Sequence, residues 1–373
     1  MKILLLGEYS NVHNTLAEGL RTLGHQVTVA SNGDFWKKYP RDIDLARRPG
    51  KLGGIALLAK VCALLPQWRD YDVVQLINPM FLELKAERLF PIYKYLRRHN
   101  RGMVLGAMGM DYYWVHECST RMPLRYSDFN IGDRLRTDET AIKDQRDWIG
   151  TTKGRLNQLI AEDCDTIVSV LYDDHVCYEP YFRQKLRFIP LPIKMESAVD
   201  IVPRAPQEPF KLFIGISKGR SVYKGTDIML KAAQALKNKY PERLQLNIAE
   251  GLPFEQYKTM MDGSDAIMDQ LYSYTPAMNA LLAMSKGIIC IGGGEPEAYK
   301  IMGETELHPI INVEPSYESV YQQLEQLVLL PSERIAKLKR QSIELVRRHH
   351  DYLKVARQYE QAYQSLLVKR SAK

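Results

Sequence analysis

The stretch Gly215-Ile-Ser-Lys-Gly-Arg-Ser-Val-Tyr-Lys-Gly-Thr-Asp227 decides the fold of this chain. It follows a short apolar run typical of a buried strand and precedes a run with helix spacing. A loop between a strand and a helix presents backbone N–H groups and the positive end of the helix dipole, which suit an anion. Arg220 and Lys224 add two cations, and glycines such as Gly225 let the backbone approach a ligand. The stretch predicts a diphosphate-binding loop; a solvated basic turn is the alternative.

A second strand–loop–helix unit opens the chain. Residues 2–6 form an apolar strand-like run, residues 7–12 a short loop, and residues 13–23 a pattern with helix spacing. Two such beginnings predict two doubly wound α/β domains. The first loop is not a dinucleotide fingerprint, because Tyr9 stands where G-x-G-x-x-G requires a glycine. A nicotinamide enzyme is therefore disfavoured.

Size and charge narrow the class of protein. At 373 residues the chain is too long for one ordinary core and suits two domains of about 150–200 residues. The 45% of apolar and 25% of charged residues are typical of a globular protein. The formal net charge of +7 fits phosphorylated ligands and anionic membrane surfaces. Because no zinc-finger, RNP-type or basic-zipper signature is present, nucleic acid is not an expected partner.

Cysteine usage and hydropathy favour the cytoplasm. The five cysteines are scattered without metal-ligand spacing, as expected of core-filling thiols in a reducing compartment. The N-terminal apolar run has strand length and lacks the cleavage site of a signal peptide, and no apolar run reaches the roughly 18 residues of a membrane span. The apolar segment 52–65, with nearby basic residues, leaves open a peripheral contact with the inner membrane face. A buried helix is the alternative.

The composition also indicates where the domains divide. Residues 203–209 contain three prolines and no apolar periodicity, which is typical of a linker. We therefore expect a first domain over residues 1–200 and a second over residues 205–350. Residues 352–367 carry an apolar and aromatic stripe with helix spacing. Residues 115–147 are polar and irregular, which predicts a functional loop or lid.

Five segments, taken in order, resemble a known family. They are HNTLAEGLRTLGHQVTVAS (13–31), RFIPLPI (187–193), YKGTDIMLKAAQALKNKYPERLQLNIA (223–249), LLAMSKGIICIGGGEPE (281–297) and VARQYEQAYQSLL (355–367). Together they resemble the GT-B glycosyltransferases of the large retaining, nucleotide-sugar-dependent type, the glycosyl transferases group 1. The resemblance implies an α/β fold of two Rossmann-like, doubly wound domains that face each other across a cleft. It also implies that the C-terminal helix, within residues 352–373, crosses back to the first domain.

The resemblance further implies a donor site in the second domain. In that family a basic pair in the first loop of this domain grips the donor diphosphate, and Arg220 and Lys224 match that pair, with Gly225 beside them. The first-domain loop that begins at Gly7 would face the same phosphates. His13, at the start of the next helix, would donate to a phosphate or a sugar hydroxyl. A helix-capping or exposed histidine is the alternative.

One part of the family pattern is missing from this chain. The family usually carries two glutamates eight positions apart, and Tyr274 and Leu282 stand at those positions here. Glu295 and Glu297, in the glycine-rich loop, are the candidates to supply a carboxylate instead. For Glu295 an exposed loop charge is the alternative, and Glu297 matches a glutamate that can cap the following helix.

Asp111 and His116 are the catalytic candidates, because they match sugar-facing positions of the family. Asp111 would bind a donor or acceptor hydroxyl and His116 a sugar 6-hydroxyl; a loop carboxylate and a surface histidine are the alternatives. Transferases of this type rely on positioning and phosphate electrostatics, so we expect no nucleophilic triad. Neither a metal nor a bound cofactor is expected. The sequence His349-His350-Asp351 abuts a helix end, where adjacent histidines point to different faces.

The predicted function is a hexosyltransferase-like glycosyltransferase of polysaccharide biosynthesis. It would move a sugar from a nucleotide diphosphate sugar to a glycan or lipid-linked acceptor with retention of configuration. A nucleotide-sugar epimerase on the same fold is one alternative. A non-catalytic nucleotide- or sugar-binding protein is the other, motivated by the missing glutamate pair. The base, the sugar and the acceptor are left open by the sequence.

Overall fold

The computed structural model describes residues 1–195, 200–205, 207–216 and 219–371. Its strands are β1 (Lys2–Leu6), β2 (Gln26–Ser31), β3 (Ile43–Asp44), β4 (Val73–Leu76), β5 (Met103–Ala107), β6 (Asn130–Ile131), β7 (Arg134–Leu135), β8 (Thr166–Ser169), β9 (Leu186–Phe188), β10 (Phe210–Ile216), β11 (Leu244–Glu250), β12 (Ala266–Met268), β13 (Ile289–Gly292) and β14 (Ile311–Asn312). All lie within two parallel sheets, except for the antiparallel hairpin β6–β7.

The helices connect these strands and cover the sheets. They are α1 (Val12–Thr22), α2 (Gly50–Leu64), α3 (Ala86–His99), α4 (Tyr112–Thr120), α5 (Glu139–Trp148), α6 (Thr152–Asp163), α7 (Tyr172–Phe182), α8 (Ser221–Lys224), α9 (Thr226–Lys239), α10 (Phe254–Met261), α11 (Met278–Ser285), α12 (Pro296–Met302), α13 (Tyr317–Val328), α14 (Ser332–His349) and α15 (Tyr352–Ser371). Two 3-10 turns cover Phe35–Lys37 and Leu65–Gln67. Strands alternating with helices confirm the predicted doubly wound α/β class.

The chain divides into two compact units. The first contains residues 1–121, residues 143–192 and helix α15, and the second contains residues 122–142 and 193–351 as far as they are described. The prediction that residues 1–200 form the first domain therefore differs from the structure at two places. Residues 122–142 belong to the second unit because their arginines bond to residues of that unit, and the residues after Pro192 belong to it as well.

The first unit is built on a seven-stranded parallel sheet in the order β3-β2-β1-β4-β5-β8-β9. Strand β1 pairs with β2 on one side, where Lys2 faces Gln26, and with β4 on the other, where Ile3 faces Val73. The strand order changes direction between β1 and β4. In open α/β sheets, ligands bind at the carboxyl ends of the strands at such a point.

Both faces of strand β1 are buried, which explains its uninterrupted apolar run. Leu4 and Leu6 belong to one apolar cluster, and Ile3 and Leu5 belong to the cluster on the other face. Helix α15 completes this second cluster with Val355, Ala356, Tyr359, Tyr363 and Leu366. The predicted return of the C-terminal helix to the first domain is thereby confirmed.

The second unit is built on a five-stranded parallel sheet in the order β11-β10-β12-β13-β14. Strand β10 pairs with a strand on each side: Phe210 faces Leu244 of β11, and Leu212 faces Ala266 of β12. Helices α9 and α13 pack together over one apolar cluster of this sheet. The predicted loop therefore follows a strand that is paired on both sides, and helix α9 begins after it, as the sequence predicted.

The prediction of an irregular loop over residues 115–147 was wrong. This range contains most of α4, the hairpin β6–β7 and most of α5. Helix α4 buries side chains almost all round, including Trp114, Glu117 and Cys118, so its sequence lacks the apolar stripe that identifies a surface helix. Among the described residues, no helix is both long enough and apolar enough to cross a bilayer.

Gly19 sets how closely α1 and α15 pack. A β-carbon at Gly19 would lie 2.7 Å from the Ala356 Cβ and 2.8 Å from the Tyr352 carbonyl oxygen. We expect Gly19→Ala to lower the melting temperature, with a loss of about 1–3 kcal/mol from overpacking that exceeds the gain in helix propensity. Thermal unfolding measures this.

The matched control is Gly54→Ala in α2. The nearest atom to its added β-carbon lies 3.5 Å away, at the Arg47 side chain. Helix propensity alone then predicts a small rise in melting temperature. Equal effects of the two substitutions would contradict a tight α1–α15 contact at Gly19.

Candidate functional site

A cavity of about 400 Å³ lies in the first unit at the carboxyl ends of β1, β2 and β4. Loops after these strands line it with Gly7, Glu8, Tyr9, Ser31, Asn32, Ile77 and Asn78. The rest of its wall includes Phe35, Leu45, Met80, Phe81, Leu82, Glu83, Leu84, Met110, Lys143, Asp144, Asp147, Trp148 and Lys153. The cavity stands where the strand order of this sheet reverses, which is the expected place for a ligand.

Gly7 is required at the edge of this cavity. Its φ of +85° lies in the region that favours glycine, and an added β-carbon would come within 2.3 Å of the Ile77 Cγ2. The short loop predicted after β1 is present, and α1 begins at Val12. Whether this loop contacts a donor phosphate stays a prediction.

The donor role predicted for His13 disagrees with the structure. Its side chain is fully buried, with Nδ1 2.8 Å from the Gly7 carbonyl oxygen and Nε2 3.1 Å from Gln75 Nε2. Since a carbonyl only accepts, Nδ1 carries the proton and Nε2 accepts from the Gln75 amide. Burial lowers the pKa of His13 to about 4, so the imidazole is neutral. His13 shapes the Gly7 loop from within rather than contacting a ligand.

Glu8 is a cavity residue that the sequence reasoning missed. Its carboxyl group accepts the backbone N–H groups of His13 at 3.2 Å and Asn14 at 2.8 Å. Burial raises the pKa of Glu8 to about 8, against the opposing effect of these hydrogen bonds. Glu8 thus occupies N–H groups at the start of α1, within the loop that we had expected to face donor phosphates. An acidic residue just before a helix start was the available signal.

Asp111 acts as the N-cap of α4. Its Oδ1 accepts the Trp114 backbone N–H at 2.9 Å, and its Oδ2 accepts the Tyr178 hydroxyl at 2.6 Å. The side chain is buried, and burial raises the pKa of Asp111 to about 6. The predicted contact with a sugar hydroxyl is therefore corrected to a structural role, because both carboxyl oxygens already have protein partners.

His116 remains open to a ligand on geometric grounds. Its side chain is 31% exposed, and its ring stacks on Tyr112 with a centroid distance of 5.3 Å. Nδ1 lies 3.1 Å from the carboxyl oxygen of buried Glu117, which fixes the orientation of the ring. The predicted contact with a sugar hydroxyl stays a prediction.

The second unit holds the predicted diphosphate loop. After β10, the described chain resumes at Gly219 and passes through the single turn α8 to Gly225; Ser217 and Lys218 lie outside the described residues. Gly225 has a φ of +72°, and an added β-carbon would lie 2.5 Å from the Leu271 Cβ. A glycine is thus needed where α9 begins. The N-terminus of α9 and its dipole lie directly behind this turn.

The two predicted cations of this loop have different surroundings. Arg220 is exposed, with its guanidinium carbon 5.0 Å from the centre of the Tyr223 ring. Lys224 is half-buried, and its backbone carbonyl accepts the Leu271 N–H at 2.9 Å. Burial raises the pKa of nearby Asp269, and the Lys224 charge acts in the opposite direction. Lys224 is therefore held beside a carboxyl group at the end of β12.

Arg136, in the segment 122–142, forms hydrogen bonds to this loop. The Arg136 guanidinium donates to the carbonyl oxygens of Val222 at 2.9 Å and Tyr223 at 3.3 Å. It also lies 3.8 Å from the centre of the Tyr272 ring. These carbonyls end the α8 turn, where a cation is favoured by the local dipoles. The sequence reasoning missed Arg136 because it lies some ninety residues before the loop it contacts.

Glu295 and Glu297 are tied to Arg125 of the same segment. The Arg125 guanidinium lies 2.5 Å from Glu295 and 2.6 Å from Glu297, and this pairing lowers the pKa of Glu297. Glu295 is buried and also accepts the Tyr126 hydroxyl. The predicted alternatives for Glu295, a ligand contact or an exposed charge, are both replaced by an internal ion pair.

Tyr274 lies under the same arginine. Its hydroxyl accepts the Arg125 backbone N–H at 2.7 Å, and its ring lies 4.9 Å from the guanidinium carbon. Burial raises the pKa of Tyr274 to about 12, so the hydroxyl stays protonated. Position 274, where the family that this chain resembles has a glutamate, therefore holds a neutral, buried phenol. In the described parts of the chain, no group of three or more His, Cys, Asp or Glu side chains could hold a metal ion.

Known proteins of similar structure cover nearly the whole chain. Sucrose-phosphate synthase from Thermosynechococcus elongatus is 14% identical, covers 99% of this chain and 100% of its own, and has a TM-score of 0.62. The catalytic domain of starch synthase IV from Arabidopsis thaliana, solved with ADP and acarbose, is 10% identical over 99% of both chains, with a TM-score of 0.58. Anabaena HepE, solved with UDP-glucose, is 13% identical over 98% of this chain and 100% of its own, with a TM-score of 0.57.

Sequence comparison adds nothing to these structural likenesses. No protein-family model matches the chain, and no curated protein matches its sequence. The likenesses are to GT-B proteins, so the predicted GT-B fold is confirmed. At these identities the comparison establishes the fold alone.

The buried carboxyl group of Glu8 predicts a pH-dependent stability. Because its folded pKa of about 8 exceeds its ordinary 4.5, folding favours the protonated form. The stabilisation is fully present below pH 4.5 and is lost as the pH rises through about 8. As the pH rises from 4.5 to 8, the free energy of unfolding of the parent chain should therefore fall relative to that of Glu8→Gln. The expected fall is about a few kcal/mol.

Chemical unfolding across this pH range measures the difference. Glu18→Gln, on the partly exposed side of α1, is the control and should keep the pH dependence of the parent chain. Parallel curves for the parent and Glu8→Gln would contradict the raised pKa.

Arg136 predicts a local change in backbone stability. Arg136→Ala should increase amide hydrogen exchange at Lys224 and Gly225 by roughly tenfold or more, because it removes charged hydrogen bonds from the turn. Arg134→Ala, on the exposed strand β7, should leave these amides unchanged. Mass spectrometry of exchanged peptides measures both, and equal protection in the two variants would refute the support assigned to Arg136.

Proposed function

We propose that this chain transfers a sugar from a nucleotide diphosphate sugar to a glycan or lipid-linked acceptor, with retention of configuration. The observation that carries the proposal is the turn between Gly219 and Thr226 in the second unit. It combines two glycines of positive φ, two cations and the start of helix α9. This combination suits a diphosphate more than any other common ligand group.

The chemistry follows from where the charge develops. As the bond between the sugar and the diphosphate breaks, negative charge grows on the leaving phosphate oxygens. Lys224, Arg220 and the first backbone N–H groups of α9 would stabilise that charge. Retention needs no protein nucleophile in this scheme, and binding both substrates in one orientation provides much of the remaining acceleration. The scheme uses no metal ion and no resident cofactor.

The proteins of similar structure support the choice of donor. Starch synthase IV was solved with ADP, and Anabaena HepE with UDP-glucose. Both ligands contain the diphosphate that the Gly219–Thr226 turn suits. We therefore propose a nucleoside diphosphate sugar as the donor and leave its base open.

The other predicted site residues take distinct roles in this proposal. His116 is the candidate for a sugar contact, because its side chain reaches the surface. Asp111 and His13 act as positioning residues that hold α4 and the Gly7 loop. Glu297 is the more exposed of the two carboxylates bound to Arg125 and is the one a ligand could recruit. The five unpaired cysteines favour the cytoplasm as the compartment.

A binding protein without transfer activity is the second candidate. The observation that favours it is the pairing of Glu295 with Arg125 and Tyr126, beside a tyrosine in place of the family glutamate. In this arrangement Glu295, the buried carboxylate beside Tyr274, already has two protein partners. Such a protein would bind the nucleotide part and leave the sugar intact.

Lys224→Ala should abolish most donor use. With the matching nucleotide sugar, we expect kcat/KM to fall on the order of a hundredfold, since one positioned charge on the leaving group is lost. Lys231→Ala, on the exposed side of α9, should stay within about twofold. Thermal stabilisation by UDP, GDP, ADP and CMP first identifies the donor class, because a ligand of the native state raises the melting temperature.

Product analysis separates the candidates. Sugar transfer that depends on an acceptor supports the proposal. Isomerised donor or free sugar made without acceptor would identify an epimerase instead. Nucleotide binding without any turnover would favour the binding protein, and similar kinetics in the Lys224 and Lys231 variants would refute the diphosphate turn.

A further inference from the structure

Helix α2 exposes apolar side chains where a surface helix normally carries polar ones. Leu52 is 80% exposed and Ile55 is 64% exposed. With them, the exposed residues of the helix include Ala56, Ala59, Cys62 and Ala63, and we call this set the α2 face. The comparable helix α9 exposes Asp227, Lys231, Gln234, Asn238 and Lys239. A helix face exposed to water usually carries polar side chains, and the α2 face does not.

Cations flank the α2 face. Arg47, Arg48 and Lys51 are exposed at the start of the helix, and Lys60 is exposed toward its end. Lys60 Nζ donates to the Asp44 carbonyl at 2.7 Å, which keeps the charge at the side of the helix. Two carboxylates lie nearby. Asp44 pairs with Arg41, and Glu83 accepts the Arg47 backbone N–H at 3.2 Å, so the cations of Arg48, Lys51 and Lys60 remain in excess. An apolar strip bordered by basic residues complements a partner in which an apolar layer lies beneath an anionic surface.

The opposite side of α2 holds the helix in place. Leu57 and Val61 are buried in the apolar cluster of the first unit. The helix has 15 residues and is therefore about 22 Å long, shorter than the roughly 30 Å hydrocarbon core of a bilayer. A helix of this length, fixed by one side, can lie in the plane of a bilayer surface but cannot cross it.

We propose that the α2 face docks on an anionic lipid bilayer. Leu52 and Ile55 enter the boundary between headgroups and acyl chains, while Arg47, Arg48 and Lys51 contact lipid phosphates. Charge complementarity favours this occupant over a second copy of the chain, because two copies of this face would bring like charges together.

Docking would bring the cavity of the first unit close to the lipid. Leu45, Leu82 and Leu84 line that cavity and belong to the same apolar cluster as Leu57 and Val61. The acceptor class that fits this placement is a lipid-linked one, and this last step alone rests on the proposed function. Docking itself requires no donor and is tested without one.

Co-sedimentation of the full chain with vesicles tests the proposal. We expect binding to vesicles of equal parts phosphatidylcholine and phosphatidylglycerol, and little binding to phosphatidylcholine alone. Leu52→Glu with Ile55→Glu should reduce the affinity more than tenfold, because it places charge in the apolar strip. Each of Arg48→Gln and Lys51→Gln should cost roughly fivefold, and added salt should weaken binding.

Matched controls come from the rest of the chain. Leu329→Glu replaces a leucine that is 43% exposed in the second unit, and Lys94→Gln removes an exposed cation of α3. Both should bind vesicles like the parent chain. Circular dichroism of each variant tests whether it is folded. Failure of the parent to bind anionic vesicles, or equal binding by the double glutamate variant, would overturn the proposal. So would a dimer in solution that Ile55→Glu dissolves.

Cys62 offers a direct probe of the α2 face. Of the five cysteines, all within the described residues, Cys62 is the exposed one and the other four are buried. An environment-sensitive fluorophore attached to its thiol should shift to shorter wavelength on anionic vesicles. An unchanged spectrum in a sample that co-sediments would show that another surface binds the lipid, and would overturn the assignment to α2.

Discussion

A buried chain of hydrogen bonds organises the first unit. The Tyr363 hydroxyl of α15 donates to the Gln75 side chain of β4 at 2.6 Å, Gln75 donates to His13 of α1, and His13 donates to the Gly7 carbonyl. All four residues lie away from solvent, so each polar group depends on its partner in the chain. The edge of the cavity is thus determined by a helix that enters the sequence some 350 residues after Gly7. One neutral histidine tautomer satisfies the whole series.

The second unit depends on a similar long-range constraint. Arg125 and Arg136 come from the first half of the sequence, yet their partners are the glycine-rich loop at Glu295 and the turn at Val222. The segment 122–142 therefore contacts both loops that the sequence predicted as the donor site. Its hairpin gives these two arginines a rigid base, since β6 and β7 are paired. The electrostatics of the site are set by protein cations before any ligand binds.

Local patterns were enough to predict the fold. Apolar strand runs, glycines at strand ends and the stripe of α15 were all visible in the sequence, and their order matched a GT-B protein. The site was harder to predict because its contacts are distant in sequence. Asp111 and His13 have the chemistry of ligand-binding groups, but burial turned one into a helix cap and the other into a loop support. No local pattern identified Arg125, and only the folded chain shows that it pairs with two glutamates.

Helix α15 is synthesised some 350 residues after strand β1, although the two pack in the same apolar cluster. Strand β1 leaves the ribosome early, but Ile3 and Leu5 find part of their apolar cover only when Val355 and Tyr359 have been translated. At the usual rates of elongation, this leaves one face of the first sheet only partly covered, by α1, for tens of seconds. The second sheet has all its strands before that time. The first unit therefore completes its apolar core only after the second sheet has been synthesised, although it begins earlier in the sequence.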